Sequence, residues 1–593
     1  MDIYGADLSG IEGHSIKFSA VKEERGRGAK ILGLAKQVVK EGYARAIKAI
    51  ETIEGPWSDF VNNSGYTIQL DPPDQVKNSS SFDLPLAIML LQSSVLQGQE
   101  FLKAQQNILR ERIEKKSPKE IKKREELLEQ LNLLIEQEKI ILKYRKAIAS
   151  NNNKYLLIAS LDIVSGRLAA PSSGMFSLIA SASNDSIVII PEESEMHGGL
   201  IAKAKNMTIY QARDLNEVWQ VILGLKNPRK ARYNPSKIKE IKPLKYAPDF
   251  NNIEGVSKAK KAMIVALAGG HNILLVGPPG EGKTMLAQAA SRALPPLTKE
   301  EVFEVNKIFS VKGMLSGNEI ILDRPFREAS NGATEVALFG GGRNPEPGEV
   351  SLAHNGVLLF DEINLSSPAL IEQLRNVLNN RFIRVQRATG TIEFPCNFIL
   401  VAAMNPCKCG DWGLYFCPIC KEEYVGEGKR CEKHPKEVLQ KKCICSANEV
   451  SKYKDKLSKP LLDRIDLKVR VYSHDKEKVN NVHYATSTIS KMLENTRKIQ
   501  SNRYKNSEFI TINASVPNAY EFKKWNGELK VDSIKLFQKA YKDFDLTKRM
   551  EVKLLLVSRT IADLVGSEHI EKDHIQEAIV LMGLNDPYFR GIH

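Results

Sequence analysis

An α/β fold is predicted for this 593-residue chain, and three observations predict it. Between residues 249 and 475 short apolar runs alternate with helical patterns, the signature of a parallel sheet with crossover helices. A glycine-rich turn at 277–284 joins one such run directly to a helix. Flanking this core are a mixed α/β region at 1–225 and a mostly helical region at 476–593. A chain of this length holds about four domains or large modules and buries its own core without disulfide or metal staples.

Along the chain, residues 29–35 and 66–70 alternate like strands, and 36–51 carries apolar residues at helical spacing. Residues 98–150 are dominated by Lys, Arg and Glu, and Gly98 is their only glycine. Ser117, Pro118 and Glu120 combine an N-cap, a first-turn proline and a capping-box acid, so two long antiparallel helices turning near Ser117 are expected. Strand runs return at 155–164 and 186–191. Residues 226–248 hold four prolines and eight basic residues against one acid, the composition of a linker between domains.

Composition narrows the class. Hydrophobic residues make up 42% and charged residues 26%, which excludes wholesale disorder. The net charge of +14 permits a polyanionic partner without requiring one. The start MDIYGADLSG lacks a basic and an apolar segment, and the apolar stretch at 84–96 is interrupted by Pro85 and too short to span a bilayer. No membrane association and a cytoplasmic location are expected. All eight cysteines lie between Cys396 and Cys445, which points to a local metal site and away from a disulfide framework.

The chemistry concentrates at 277–284. Gly277, Pro278, Pro279, Gly280, Glu281, Gly282, Lys283 and Thr284 form a P-loop between the strand run 272–276 and a helix at 285–294. Its backbone N–H groups would cradle phosphates at a helix N-terminus. Lys283 would reach the β/γ-phosphates of ATP, and Thr284 would ligate Mg²⁺. A second run, 357–360, ends in Asp361, placed to hold Mg²⁺, and Glu362, placed to polarise the attacking water. A third run, 398–404, ends at Asn405, whose amide could orient that water. Arg464 and Arg549 are candidates to neutralise charge on the transferring phosphoryl group.

These residues together resemble the ComM/YifB family of magnesium-chelatase-like AAA+ ATPases. The likeness extends to Ser81-Phe82-Asp83-Leu84-Pro85, the segments 253–271, 338–355 and 401–409, and the stretches 459–467 and 559–566. It covers nearly the whole chain outside 98–150 and an insertion after Cys409. The resemblance implies a Lon-protease-like (ribosomal S5 domain 2-like) N-domain at 1–225 carrying the 98–150 helical hairpin, and a linker at 226–248. It further implies an AAA+ core at 249–475 with a zinc-binding insertion at 406–446, and a helical lid at 476–593. A homo-hexamer with ATP between subunits is implied, with Arg464 as a trans-acting finger and Arg549 at the sensor-2 position. The family is linked to helicase action and branch migration, which implies single-stranded or branched DNA and recombination proteins as partners. The other class of function, protein remodelling of the chelatase type, is an alternative.

Residues 381–391 read as a β-hairpin that in this ATPase group points into the ring pore, where Arg384 and Arg387 could meet phosphates. A second pore hairpin is expected at 307–327. Ser81 falls near the Lon nucleophile, but no lysine occurs between 155 and 202 and Phe176 stands about where it would be, so no proteolysis is expected.

The cysteines form spaced pairs. Cys407, Cys409, Cys443 and Cys445 make two CxC motifs, and Cys417, Cys420, Cys431 and His434 make a CxxC followed by a CxxH. Two tetrahedral zinc sites per chain are expected, an outer and an inner set, with interleaved ligands as the alternative. Cys396 is left over as a buried thiol.

Overall fold

The computed structural model describes residues 1–593 except 24–27, 33, 36, 54, 56, 63, 74–75, 78, 117–120, 243, 245, 330–331, 343–344, 388–389, 426–429, 432, 473–484, 527–528 and 590–593. The chain divides into two compact units. One comprises Met1–Ile241, Asn306–Ile320 and Gln386–Ile392; the other comprises Lys242–Val305, Ile321–Val385 and Glu393–His593.

The first unit is built on an eight-stranded mixed sheet. Its order is Arg229–Lys230, Ile209–Ala212, Ser186–Pro191, Lys154–Leu157, Asp2–Ser9, Glu12–Glu23, Gly65–Asp71 and Gly28–Leu32. The strand Gly65–Asp71 buries Tyr66, Ile68 and Leu70 on one face, as the alternation predicts. Helices α1 (Asp83–Glu114) and α2 (Ile121–Ala149) form the expected charged hairpin. Gln106 donates to Glu138 and Arg145 to Gln99, the cross-links of an antiparallel pair. The expected turn at Ser117 lies outside the described residues. Helix α1 begins well before residue 98 because 83–95 is apolar enough to be buried almost throughout.

Two expectations are corrected here. The segment 226–248 is not a separate linker: Arg229–Lys230 adds an edge strand to the sheet, and Lys239–Glu240 pairs in parallel with Glu319–Ile320. Edge pairing requires only backbone groups, so a basic, proline-bearing segment satisfies it between its prolines. The second hairpin at 307–327 is also absent. Lys299–Val311 is a helix, whose buried Val302, Val305, Ile308 and Phe309 recur at helical spacing.

The second unit carries a five-stranded parallel sheet: β1 (Ile273–Val276), β2 (Phe326–Ala329), β3 (Val357–Phe360), β4 (Ile399–Met404) and β5 (Leu467–Arg470). The order is β2-β3-β4-β1-β5, so β1 lies between β4 and β5. β1, β3 and β4 are buried at every residue, as expected of strands covered on both faces. Helices α3 (Lys283–Ala293), α4 (Pro368–Asn380) and α5 (Lys548–Leu564) matter most below. Beyond 484 the described residues are mainly helical, as expected.

Candidate functional site

The chain leaves β1 through 277–284 and enters α3 at Lys283, so the loop sits at the carboxyl edge of the sheet. Gly277 must lack a side chain because a Cβ would lie 2.2 Å from the Val471 carbonyl oxygen. Gly280 and Gly282 adopt φ of +82° and +76°, left-handed conformations that suit glycine, and the loop runs straight into the N-terminus of α3, where first-turn N–H groups lack helical acceptors and can bind an anion. Lys283 is only 8% exposed. Its Nζ donates to the carbonyls of Gly277 and Pro278, both at 2.7 Å, and to Asn405 Oδ1 at 3.2 Å. Burial lowers its pKa against the pull of Asp361, Glu281 and Glu362. A phosphate entering the cradle would exchange two carbonyl acceptors for full negative charge.

Thr284 Oγ1 donates to Asp361 Oδ2 at 3.2 Å, which joins the helix start to the end of β3. The next backbone N–H, that of Glu362, donates to Asp361 Oδ1 at 2.8 Å, and Glu362 adopts φ of +48°. Thr284, Asp361, Glu362, Asn405 and Lys283 thus share one edge of the sheet, as the sequence predicts. Thr284 and Asp361 offer two oxygens suited to Mg²⁺.

Arg464 and Arg549 do not join this group. Arg464 lies just before β5, at the amino edge of the sheet. Its Nε donates to Asn379 Oδ1 at 2.8 Å, and Nη2 of Arg549, from the first turn of α5, donates to the same oxygen at 3.1 Å. Burial and the neighbouring charges of Arg549 and Arg375 lower the pKa of Arg464. A four-residue strand such as β1 spans about 13 Å, so the arginines and the P-loop lie at opposite ends of it. A cavity of about 980 Å³ opens beside them, lined by Asn379, Arg381, Arg464, Lys548, Arg549 and Lys553 among others, and by none of residues 277–284.

The sequence reading missed Asn379 and the support behind this edge. Asp466 accepts from His271 Nδ1 at 3.0 Å and pairs with Lys553, while His271 Nε2 and Thr560 Oγ1 are 2.9 Å apart. Burial opposes the charge on Asp466, but Lys553 and His271 hold its pKa well below the carboxylate range. The motif Gly269-Gly270-His271-Asn272 was the available signal: Asn272 donates to the Arg464 carbonyl and accepts from Leu400 N–H.

The hairpin forms from Phe382–Arg387 and Gly390–Pro395. Arg384 pairs with Glu393 at 2.6 Å and lies over the Phe382 ring, so it braces the hairpin while remaining about half exposed. The turn residue Thr389 lies outside the described residues, as does the Arg387 side chain.

The cysteines separate into the outer and inner sets. Cys407, Cys409, Cys443 and Cys445 converge, as do Cys417, Cys420, Cys431 and His434, with ligand atoms in each set within 4.8 Å of one another. Sγ separations of 3.3, 3.7 and 3.5 Å link Cys407, Cys409 and Cys443. A tetrahedral zinc with bonds of ~2.3 Å has sulfur–sulfur edges of about 3.8 Å, so the outer set needs only a slight expansion to hold one. In the inner set Cys420 and Cys431 lie 3.5 Å apart, and His434 Nδ1 is 3.6 Å from both Cys417 and Cys431. Burial opposes ionisation of Cys409 and Cys431, yet hydrogen bonds hold both below the usual thiol range, while their hydrogen-bonded neighbours Cys407 and Cys420 are pushed up, so within each pair one thiol gives up its proton before the other. Cys396 stands apart in the core, where burial pushes its thiol up to about 12.

The turn that carries Cys407 and Cys409 reaches the P-loop through Gly410. Cys407 follows Asn405 by two residues, and a Cβ at Gly410 would lie 2.7 Å from Pro279 Cδ. Tyr588 donates to the Pro406 carbonyl at 2.8 Å, which ties this turn to the end of the chain's helical region.

Fold and site together define a P-loop nucleotide-binding protein. The family described as magnesium chelatase, subunit ChlI, matches residues 249–425 and 428–479; its C-terminal counterpart matches 483–581, and a further ChlI family matches 20–111. The competence protein ComM of Haemophilus influenzae is 28% identical over 559 residues, covering 93% of this chain and 91% of its own length. The uncharacterized protein YifB of Escherichia coli is 27% identical over 560 residues, with the same coverage of 93% and 91%. The magnesium-chelatase 67 kDa subunit of Heliobacterium mobile is 28% identical over 183 residues, 26% of this chain and 27% of its own. The chain belongs to the ComM/YifB family of magnesium-chelatase-like AAA+ ATPases. No helix among the described residues is long and apolar enough to cross a membrane.

Proposed function

We propose that the protein is an ATP-hydrolysing ring motor that acts on DNA, with helicase or branch-migration activity in recombination or natural transformation. The observation that carries the ring is the placement of Arg464 and Arg549 at the sheet edge opposite the P-loop. Arginines so far from their own phosphate cradle serve the nucleotide of a neighbouring copy, and a homo-hexamer closes such head-to-tail contacts. Lys283 and the N–H groups of α3 hold the β/γ-phosphates, Glu362 takes the proton of the attacking water, and Asn405 orients that water. Mg²⁺ held by Thr284 and Asp361 would neutralise phosphate charge.

Mixing subunits tests the ring. Arg464→Ala and Lys283→Ala are each expected to lower turnover by roughly a thousandfold, and rings containing both to regain part of it, because some sites pair an intact P-loop with an intact arginine. Mixtures that stay inactive while rings assemble would refute the trans role.

DNA is supported by the net charge of +14, by the hairpin arginines and by the likeness to a competence protein. Phosphates would compete with Glu393 for Arg384. DNA is expected to stimulate hydrolysis, and Arg384→Ala with Arg387→Ala to weaken the stimulation and lower the salt dependence of binding by roughly two phosphate contacts. An unchanged DNA response would move the contact elsewhere. The likeness to a magnesium-chelatase subunit favours a second reading, remodelling of a protein partner. ATPase rate with and without forked DNA at fixed salt separates the two.

The first unit is read as a Lon-protease-like domain without proteolysis. Ser81 is 0% exposed, donates to the Ala6 carbonyl at 2.8 Å and shares a hydrogen bond with Ser79. Phe176, also buried, packs edge-on against His197. The outer and inner cysteine sets are read as two structural zinc sites, each with four ligands and so without an open position for catalysis.

A further inference from the structure

Asn379 occupies the penultimate position of α4, a helix anchored by buried Leu370, Ile371, Leu374, Val377 and Leu378. Arg381, at φ of +62°, closes the helix by donating its N–H to the Val377 carbonyl at 2.9 Å. The backbone beneath Asn379 is therefore fixed, while its side chain is exposed. Its carbonyl oxygen accepts from two guanidinium groups that arrive from 85 and 170 residues away, one before β5 and one from α5. An amide oxygen has two lone pairs, so one atom holds both donors. Two adjacent guanidinium groups repel, and the burial and like charge around Arg464 lower its pKa. A carboxylate here would hold both arginines but cancel charge that a phosphoryl group needs; a neutral amide holds them and leaves the charge intact.

We infer that Asn379 is a positioning residue that sets Arg464 and Arg549 side by side for the phosphates of a neighbouring subunit's nucleotide. This rests on the trans reading of the two arginines. Asn379 would touch no phosphate itself. Its loss would let the arginines splay, lowering turnover while leaving ATP affinity at its own P-loop unchanged.

The test is steady-state ATPase kinetics on full-length Asn379→Ala, alone and in mixed rings, with thermal melting as a folding control. An exposed side chain at a helix end should leave the melt near that of the unmodified protein. The variant alone should lose roughly tenfold in kcat, the value of one hydrogen bond to a charged group, with KM for ATP within about twofold. Mixed with excess Lys283→Ala subunits, whose arginines and Asn379 are intact, the Asn379→Ala subunits should recover most of their rate. Mixed with Arg464→Ala subunits they should not. A structural role within the subunit would show no such recovery. An unchanged kcat, or a loss that Lys283→Ala partners do not repair, overturns the assignment to Asn379. If Arg464→Ala itself turns over at the normal rate, the underlying reading of the arginines fails and Asn379 falls with it.

Discussion

Glu362→Gln is expected to bind ATP normally and hydrolyse it about a hundredfold to a thousandfold more slowly, whereas Lys283→Ala weakens binding itself. The two residues act on different parts of the same reaction. Lys283 is buried with its Nζ aimed between two loop carbonyls and Asn405, so it is already desolvated where phosphate arrives. Removing it deletes a charge-assisted contact worth about 3 kcal/mol, roughly a hundredfold in Kd. Glu362 sits one residue beyond Asp361, with its backbone pinned by the Asp361 carboxylate and turned to positive φ. A glutamine fits that geometry but cannot accept a proton from water. A fluorescent ATP analogue and a phosphate-release assay separate the effects. Near-normal release by Glu362→Gln would remove it from the catalytic role.

Breaking the outer cysteine set is expected to abolish ATP hydrolysis as well as remove one metal ion. The purified protein should contain about two zinc ions per chain, one for each four-ligand set. Structural zinc contributes on the order of 10 kcal/mol to the fold that holds it, and few of the described residues of the 406–446 insertion are buried and apolar enough to replace it. Loss of the metal would not stay local. Asn405, Pro406 and Cys407 are consecutive, Asn405 receives Lys283 Nζ, and Gly410 lies against Pro279. Cys407→Ser with Cys443→Ser should therefore reduce zinc to about one per chain and take ATP hydrolysis with it. Metal analysis and phosphate release read both. Zinc near zero in reduced, chelator-free protein would sink the metal reading; zinc near one with full hydrolysis would sink the link to the P-loop.

Contiguous chemistry was legible from residues alone. The P-loop, Asp361, Glu362 and Asn405 each end an apolar run, and a parallel sheet brings strand ends to one edge whatever the loops between them do. The cysteine sets were legible because their spacing within 407–445 matches zinc ligation, and the outer and inner division is the one that folds. The helical hairpin was legible from its charge and period.

Where a residue's partner is distant, tertiary structure decided. Sequence proposed Arg464 and Arg549 separately; only the packing of α4, β5 and α5 brings both to Asn379 and away from the P-loop. The segment 226–248 has a linker's composition, yet two of its dipeptides pair as strands because the sheet edges they meet lie elsewhere in the chain. Local composition determines which residues can bind phosphate or zinc. The order of strands determines which of them face the same nucleotide, since side chains 85 or 170 residues apart meet only after the sheet has closed and the helices have packed upon it.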